Sequence, residues 1–185
     1  MSEVLRSGLL DGLAVLMDRP GSTPDGRLAE ALRRLGAEIC RPEERETRLA
    51  GGADALVLDC SAWSPPEGEP GAESAEPLLD LLDGVWALVL AVAVEGFIPR
   101  GQGGRILFIA PADGTRTGAG AAAAALENLA RTLSVEWARH SVTAVTLVPG
   151  AAAELEDLAA VVAYLLSPAG AYFSGARLDL GSLSR

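Results

Sequence analysis

Short apolar runs alternate with helical repeats along this chain, and that alternation sets the expected architecture. Residues 13–17 form an apolar run suited to a central parallel strand, after which Leu28, Ala31, Leu32 and Leu35 recur at helical spacing within 24–37. Residues 38–40 and 55–59 read as the next two strands. A helix over 77–97 follows, with Leu78, Leu79, Leu81 and Leu82 ahead of Gly84 and an unbroken apolar run at 85–94. Residues 104–150 read as strand (105–109), long helix (118–140) and buried strand (142–148), one right-handed βαβ crossover. A helix over 154–166, apolar at Leu155, Leu158, Val161, Val162 and Leu165, leads to a last strand at 177–180.

Strands alternating with helices predict a three-layer α/β fold, a doubly wound parallel sheet in a single domain spanning residues 1–185. Residues 63–77, rich in Pro, Glu, Gly and Ser, read as an exposed acidic loop, too short to act as a linker between domains.

Two helices predict more than packing on a sheet. The run at 85–94 is apolar all round, so a helix there needs a second cover besides the sheet. Four or five such side chains left wet would forfeit roughly 5 to 10 kcal/mol, which rivals the stability of a domain. The helix at 118–140 carries a stripe of Leu126, Leu129, Leu133 and Trp137 beside an alanine run at 121–125, which either permits close backbone approach or is simply a strong helix former. Trp86, residue 89 (a valine), Leu126, Leu129, Leu133 and Trp137 are therefore the expected subunit contact.

Composition narrows the partners. The net charge of -10 opposes binding to nucleic acid and to anionic lipid. All fifteen basic residues are Arg, which excludes any mechanism needing a lysine ammonium. Cys40 and Cys60, at strand ends, read as buried reduced thiols of a cytoplasmic protein, with a disulfide or redox pair as the other reading. The first ten residues lack the pattern of a cleavable signal, and the run at 85–94 is too short to span a bilayer. His140, the only histidine, has no Cys, Asp or Glu at ligand spacing, so no metal site is expected.

The stretch 104–150 resembles the short-chain dehydrogenase/reductase family, whose members carry a GRIVNISS-like strand, a YxxxK helix opening, a helix ending near LAxELAxxGI and a strand closing on PG. Ala124, Ala125, Leu126, Glu127, Thr132, Leu133, Val135, Glu136, Pro149 and Gly150 fall in register with it. The resemblance continues in residues 54–61 (DxLVNNAG in the family), in 77–97 (NxxGxF) and in the ending from Leu166 to Gly181. It implies a Rossmann-like sheet of about six strands in order 2-1-4-5-6-7, in the family's numbering, truncated on the nucleotide side because 41–52 leaves no room for strand 3 and its helix. It also implies that these two long helices build the four-helix contact between subunits.

The same resemblance puts the catalytic Tyr on Ala119, the Lys on Ala123, the Ser on Ala110 or Pro111, and the structural Asn on Leu81. The TGxxxGxG phosphate loop falls on Pro20, Gly21, Pro24, Asp25 and Gly26. Proline fixes φ and removes a donor, and Asp25 sets a carboxylate where a phosphate would lie, so these residues read as an ordinary helix start. The expectation is a non-catalytic subunit with no cofactor of its own, paired in a hetero-oligomer with an active NAD(P)-dependent reductase of 3-oxoacyl thioesters. The other readings are a homodimeric ligand-binding or regulatory module, and a reductase using unaligned groups such as Ser61, Asp113 or Tyr172.

Overall fold

The apolar runs fold as the middle of a sheet covered on both faces. The computed structural model describes residues 6–18, 26–40, 52–65, 75–112, 117–150 and 153–181. Its six strands are β1 (Ala14–Asp18), β2 (Glu38–Cys40), β3 (Ala55–Asp59), β4 (Gly104–Ile109), β5 (Val142–Val148) and β6 (Arg177–Asp179). They lie in the order β2-β1-β3-β4-β5-β6 with every neighbouring pair parallel, which is the expected arrangement with one strand missing from the numbering. β3 is buried along its whole length and β5 nearly so, as central parallel strands must be.

Among the described residues, four long helices cover this sheet: α1 (Gly26–Arg34), α2 (Glu76–Ala91), α3 (Ala119–Glu136) and α4 (Leu155–Leu166). Side chains alternate along each strand, so Leu56, Leu58, Ile106 and Phe108 meet α2 and α3, while Val15, Val57, Leu107 and Val145 meet α1 and α4. Arg177 of β6 pairs with Glu127 of α3 at 3.3 Å, and Glu127 with Arg131 at 2.7 Å, fastening the last strand to the long helix.

α2 runs further than its sequence suggests. It passes through a π-helical turn, Val92–Phe97, into Ile98–Arg100, and the Ile98 N–H donates to the Ala93 carbonyl five residues back. Gly101, at φ 65°, ends it. Arg100 then anchors the helix to the entry of β3: its Nε donates to the Gly96 carbonyl, its Nη2 to the Ala53 carbonyl, and its Nη1 lies 3.6 Å from Asp54 Oδ1. Gly104 follows because a Cβ there would stand 2.3 Å from the Phe97 ring.

Across its full 25 residues, Glu76–Arg100 is long and apolar enough by composition to cross a membrane, where the expectation weighed only the run at 85–94. The fold gives that apolarity another use. Leu81, Val85, Leu88, Val89, Val92 and Phe97 are seated in the core beneath the sheet.

Candidate functional site

In a sheet of this order the chain leaves β1 in one direction and returns to β3 in the other, so the crevice for a ligand opens outside the carboxyl ends of these two strands. β1 ends there on Asp18, and β3 ends on Asp59 followed by Cys60 and Ser61. Asp59 is only 8% exposed, and its Oδ1 accepts the Ser61 N–H at 3.0 Å and the Ser61 hydroxyl at 2.6 Å. Burial, and then the charges of Asp59 and Asp18, push the Cys60 thiol up to about 12. A thiol held protonated is a poor nucleophile. Both cysteines are buried thiols outside any disulfide.

Beside the crevice lie the positions where the resemblance puts a reaction centre. Ala110, Ala119 and Ala123 have no exposed surface and Leu81 has 5%. Leu81, Ala110 and Ala123 belong to one continuous core with Cys60, and Trp63 packs against it. Gly118, at φ 77°, brings the start of α3 so close under Trp63 that a Cβ there would lie 3.5 Å from the ring.

Ser61 and Tyr172, two of the groups proposed for a cryptic reaction, do not meet. Ser61 sits at the carboxyl edge of the sheet, whereas Tyr172, 93% exposed, lies in the 3-10 turn Pro168–Phe173 that precedes β6 at the amino edge. Asp113 lies outside the described residues, as do Pro20, Gly21, Pro24 and Asp25; Gly26 opens α1. His140, at the amino edge ahead of β5, accepts a hydrogen bond at Nε2 from Arg139 Nε at 3.0 Å. Two shallow cavities of about 110 and 340 Å³ also lie at the amino edge, sharing Asp54 and Arg105. Asp54 is spoken for there, by the Ala14 N–H at 2.9 Å and by Arg100. No group of three or more metal-ligating side chains occurs among the described residues.

The expected contact surface needs correction. Val89, Leu126 and Leu133 are at most 2% exposed, sealed against the sheet inside the protomer. A helix on a sheet turns its most continuous apolar stripe inward, and these three belong to that stripe. Leu129 and Trp137 are half-buried, and Trp86 is 43% exposed. The outward apolar residues are Leu79, Trp86, Leu90 and Val94 of α2 with Val135 of α3. Trp86 stacks on Trp137 at a centroid distance of 6.5 Å and 15° between planes, joining the two helices into one face. Of the side chains named from the sequence, those at 89, 126 and 133 face the sheet rather than the outside.

The sequence matches no family model and no curated protein. Solved structures match it over nearly its whole length. A citronellol catabolism dehydrogenase from Pseudomonas aeruginosa superposes with a TM-score of 0.73 at 24% identity, covering 97% of this chain and 98% of that one. A short-chain type dehydrogenase/reductase from Mycobacterium marinum superposes at 0.74 with 18% identity, covering 95% and 96%. A candidate NAD(P)-dependent gluconate 5-dehydrogenase from Beutenbergia cavernae, solved with NADP at low occupancy, superposes at 0.72 with 20% identity, covering 92% and 96%. The architecture is thus that of the doubly wound dehydrogenases. More narrowly, the chain has the short-chain dehydrogenase/reductase fold.

At the crevice the described residues set two carboxylates, Asp18 and Asp59, at the switch point, and the Ser61 hydroxyl donates to Asp59. The loop on which the resemblance puts the phosphates lies outside the described residues.

Proposed function

We propose that this chain is a non-catalytic subunit on the short-chain dehydrogenase/reductase fold, which pairs with an active NAD(P)-dependent reductase of 3-oxoacyl thioesters and stabilises it. The observation that carries this reading is a contrast in exposure. Leu81, Ala110, Ala119 and Ala123 are closed core, while Leu79, Trp86, Leu90, Val94 and Val135 leave large apolar surface in water on the opposite side of α2 and α3. Each is roughly half exposed or more, so covering them is worth about 1 kcal/mol apiece. The carboxylates at the crevice support a chain that leaves the dinucleotide to its partner. Two buried thiols outside any disulfide suit a reducing compartment, hence the cytoplasm.

The decisive experiment is co-expression with an intact 3-oxoacyl thioester reductase from the same organism, followed by size-exclusion chromatography and an NADPH assay with an acetoacetyl thioester. Co-elution, with turnover that requires the partner, is the expected result. Turnover by this chain alone, or failure to co-elute, overturns the reading.

A further inference from the structure

Among the described residues three arginines are partly buried, Arg100, Arg105 and Arg177. Taking a guanidinium out of water leaves its N–H donors in need of acceptors, and two of these arginines have them. Arg100 donates to the Gly96 and Ala53 carbonyls and faces Asp54, and Arg177 pairs with Glu127 and Asp179. The guanidinium of Arg105 has neither a hydrogen bond nor an ion pair among the described residues.

Its surroundings explain this. Arg105 lies opposite Ala55 of β3 and Thr143 of β5, and strand alternation turns it, with Leu107 and Ile109, toward α1 and α4 at the amino edge of the sheet. Acceptors at that edge are taken. Asp54 receives the Ala14 N–H at 2.9 Å and faces Arg100, while its carbonyl receives the backbone N–H of Arg105 at 3.1 Å. At the end of α4, the Ala163 and Tyr164 carbonyls receive the Ser167 N–H, and the Ser167 hydroxyl donates to Tyr164 at 2.6 Å.

What Arg105 meets instead is space, since it lines both cavities at this edge. The larger, of about 340 Å³, is walled by Leu9, Leu10, Leu13, Leu166 and Pro168. The smaller, of about 110 Å³, brings Gln102, Ser141 and Thr143 beside the same side chain. Apolar walls with one fork of charged donors suit a molecule with an alkyl body and a planar anionic head. We infer that Arg105 and the leucine-walled cavity bind a medium-chain monocarboxylate, its carboxylate bidentate on the guanidinium and its chain along Leu9, Leu10 and Leu13. Of the two carboxylates lining this cavity, Asp54 is offset by Arg100, and Asp11, exposed at the rim, opposes the anion. The site lies at the opposite end of the sheet from the Asp18–Asp59 crevice and away from the outward face of α2 and α3, so it stands or falls independently of the subunit role.

Amide chemical-shift titration of the purified chain with octanoate tests the inference. The expected result is saturable shifts at Gly12, Arg105 and Ser167. Octanamide, which keeps the chain without the charge, and inorganic phosphate, which keeps charge without the chain, produce little response. Arg105→Gln breaks no internal bond, leaves circular dichroism unchanged and weakens octanoate binding at least about tenfold. Arg105→Lys, which keeps the charge without the fork, weakens it less, and Asp11→Asn tightens it. Absent shifts, shifts confined to the α2–α3 face, an equal response to octanamide or phosphate, or binding indifferent to Arg105→Gln overturns the inference. Should Arg105→Gln fail to fold, an affinity unmoved by Asp11→Asn overturns it as well. Co-elution with a reductase is untouched by any of these outcomes.

Discussion

The two sides of the α2–α3 layer obey opposite rules. Toward the sheet, small side chains are locked where larger ones would have to reach a substrate, and every alanine at 110, 119 and 123 is inaccessible. Toward water, large side chains stand uncovered. The proposed non-catalytic role rests on that contrast. Exposure, more than the identity of any residue, separates a vessel for chemistry from a surface for assembly.

The sharpest way to break that contrast is to restore a reaction-centre group. Ala123→Lys places an ammonium in a site with no exposed surface, and we expect a loss of at least about 3 kcal/mol in urea unfolding with no gain of NADPH turnover. A stable, active variant would mean that the interior is a cleft after all. Next in size is the pH response of Cys60. The unfolded thiol releases its proton near 9 and the folded one near 12, so the folded chain holds the extra proton between them. Stability therefore falls as pH rises through that window, by up to about 1.4 kcal/mol per unit, and is untouched below it. Cys60→Ala should remove that part of the slope, read from urea midpoints at successive pH values.

Trp86→Ala removes a stack on the outer side, for which we expect a loss of about 1 kcal/mol in unfolding but complete loss of subunit pairing by size-exclusion chromatography. A large stability loss with pairing intact would make Trp86 a core residue. Smallest of all, Tyr172→Phe should change neither stability nor pairing, since the ring is almost wholly in water. Any turnover that it abolished would revive the cryptic reductase.

Much of the sheet was legible from residue pattern alone. Residues 38–40, 55–59 and 142–148 are strands at the expected boundaries, because a short apolar run between polar breaks has few other ways to be buried. The end of α2 was not legible: the pattern gave a helix over 77–97, and the π-helical turn carries it on to Arg100. Nor was the orientation of α3: Leu126 and Leu133 form the better stripe, and the outward side is marked by alanines and one valine that hydrophobicity alone does not single out. Asp18 and Asp59 each stood at a predicted strand end, but their convergence on Cys60 depends on strand order, which no local pattern contains.

The paired indoles of Trp86 and Trp137 give the molecule a built-in optical gauge. Two nearly parallel chromophores with centroids 6.5 Å apart couple their excited states, and one of them is open to quenchers while the other is half shielded. With only three tryptophans in the chain, emission wavelength and acrylamide quenching read the wetness of this helix seam directly, without a label, as subunits come and go.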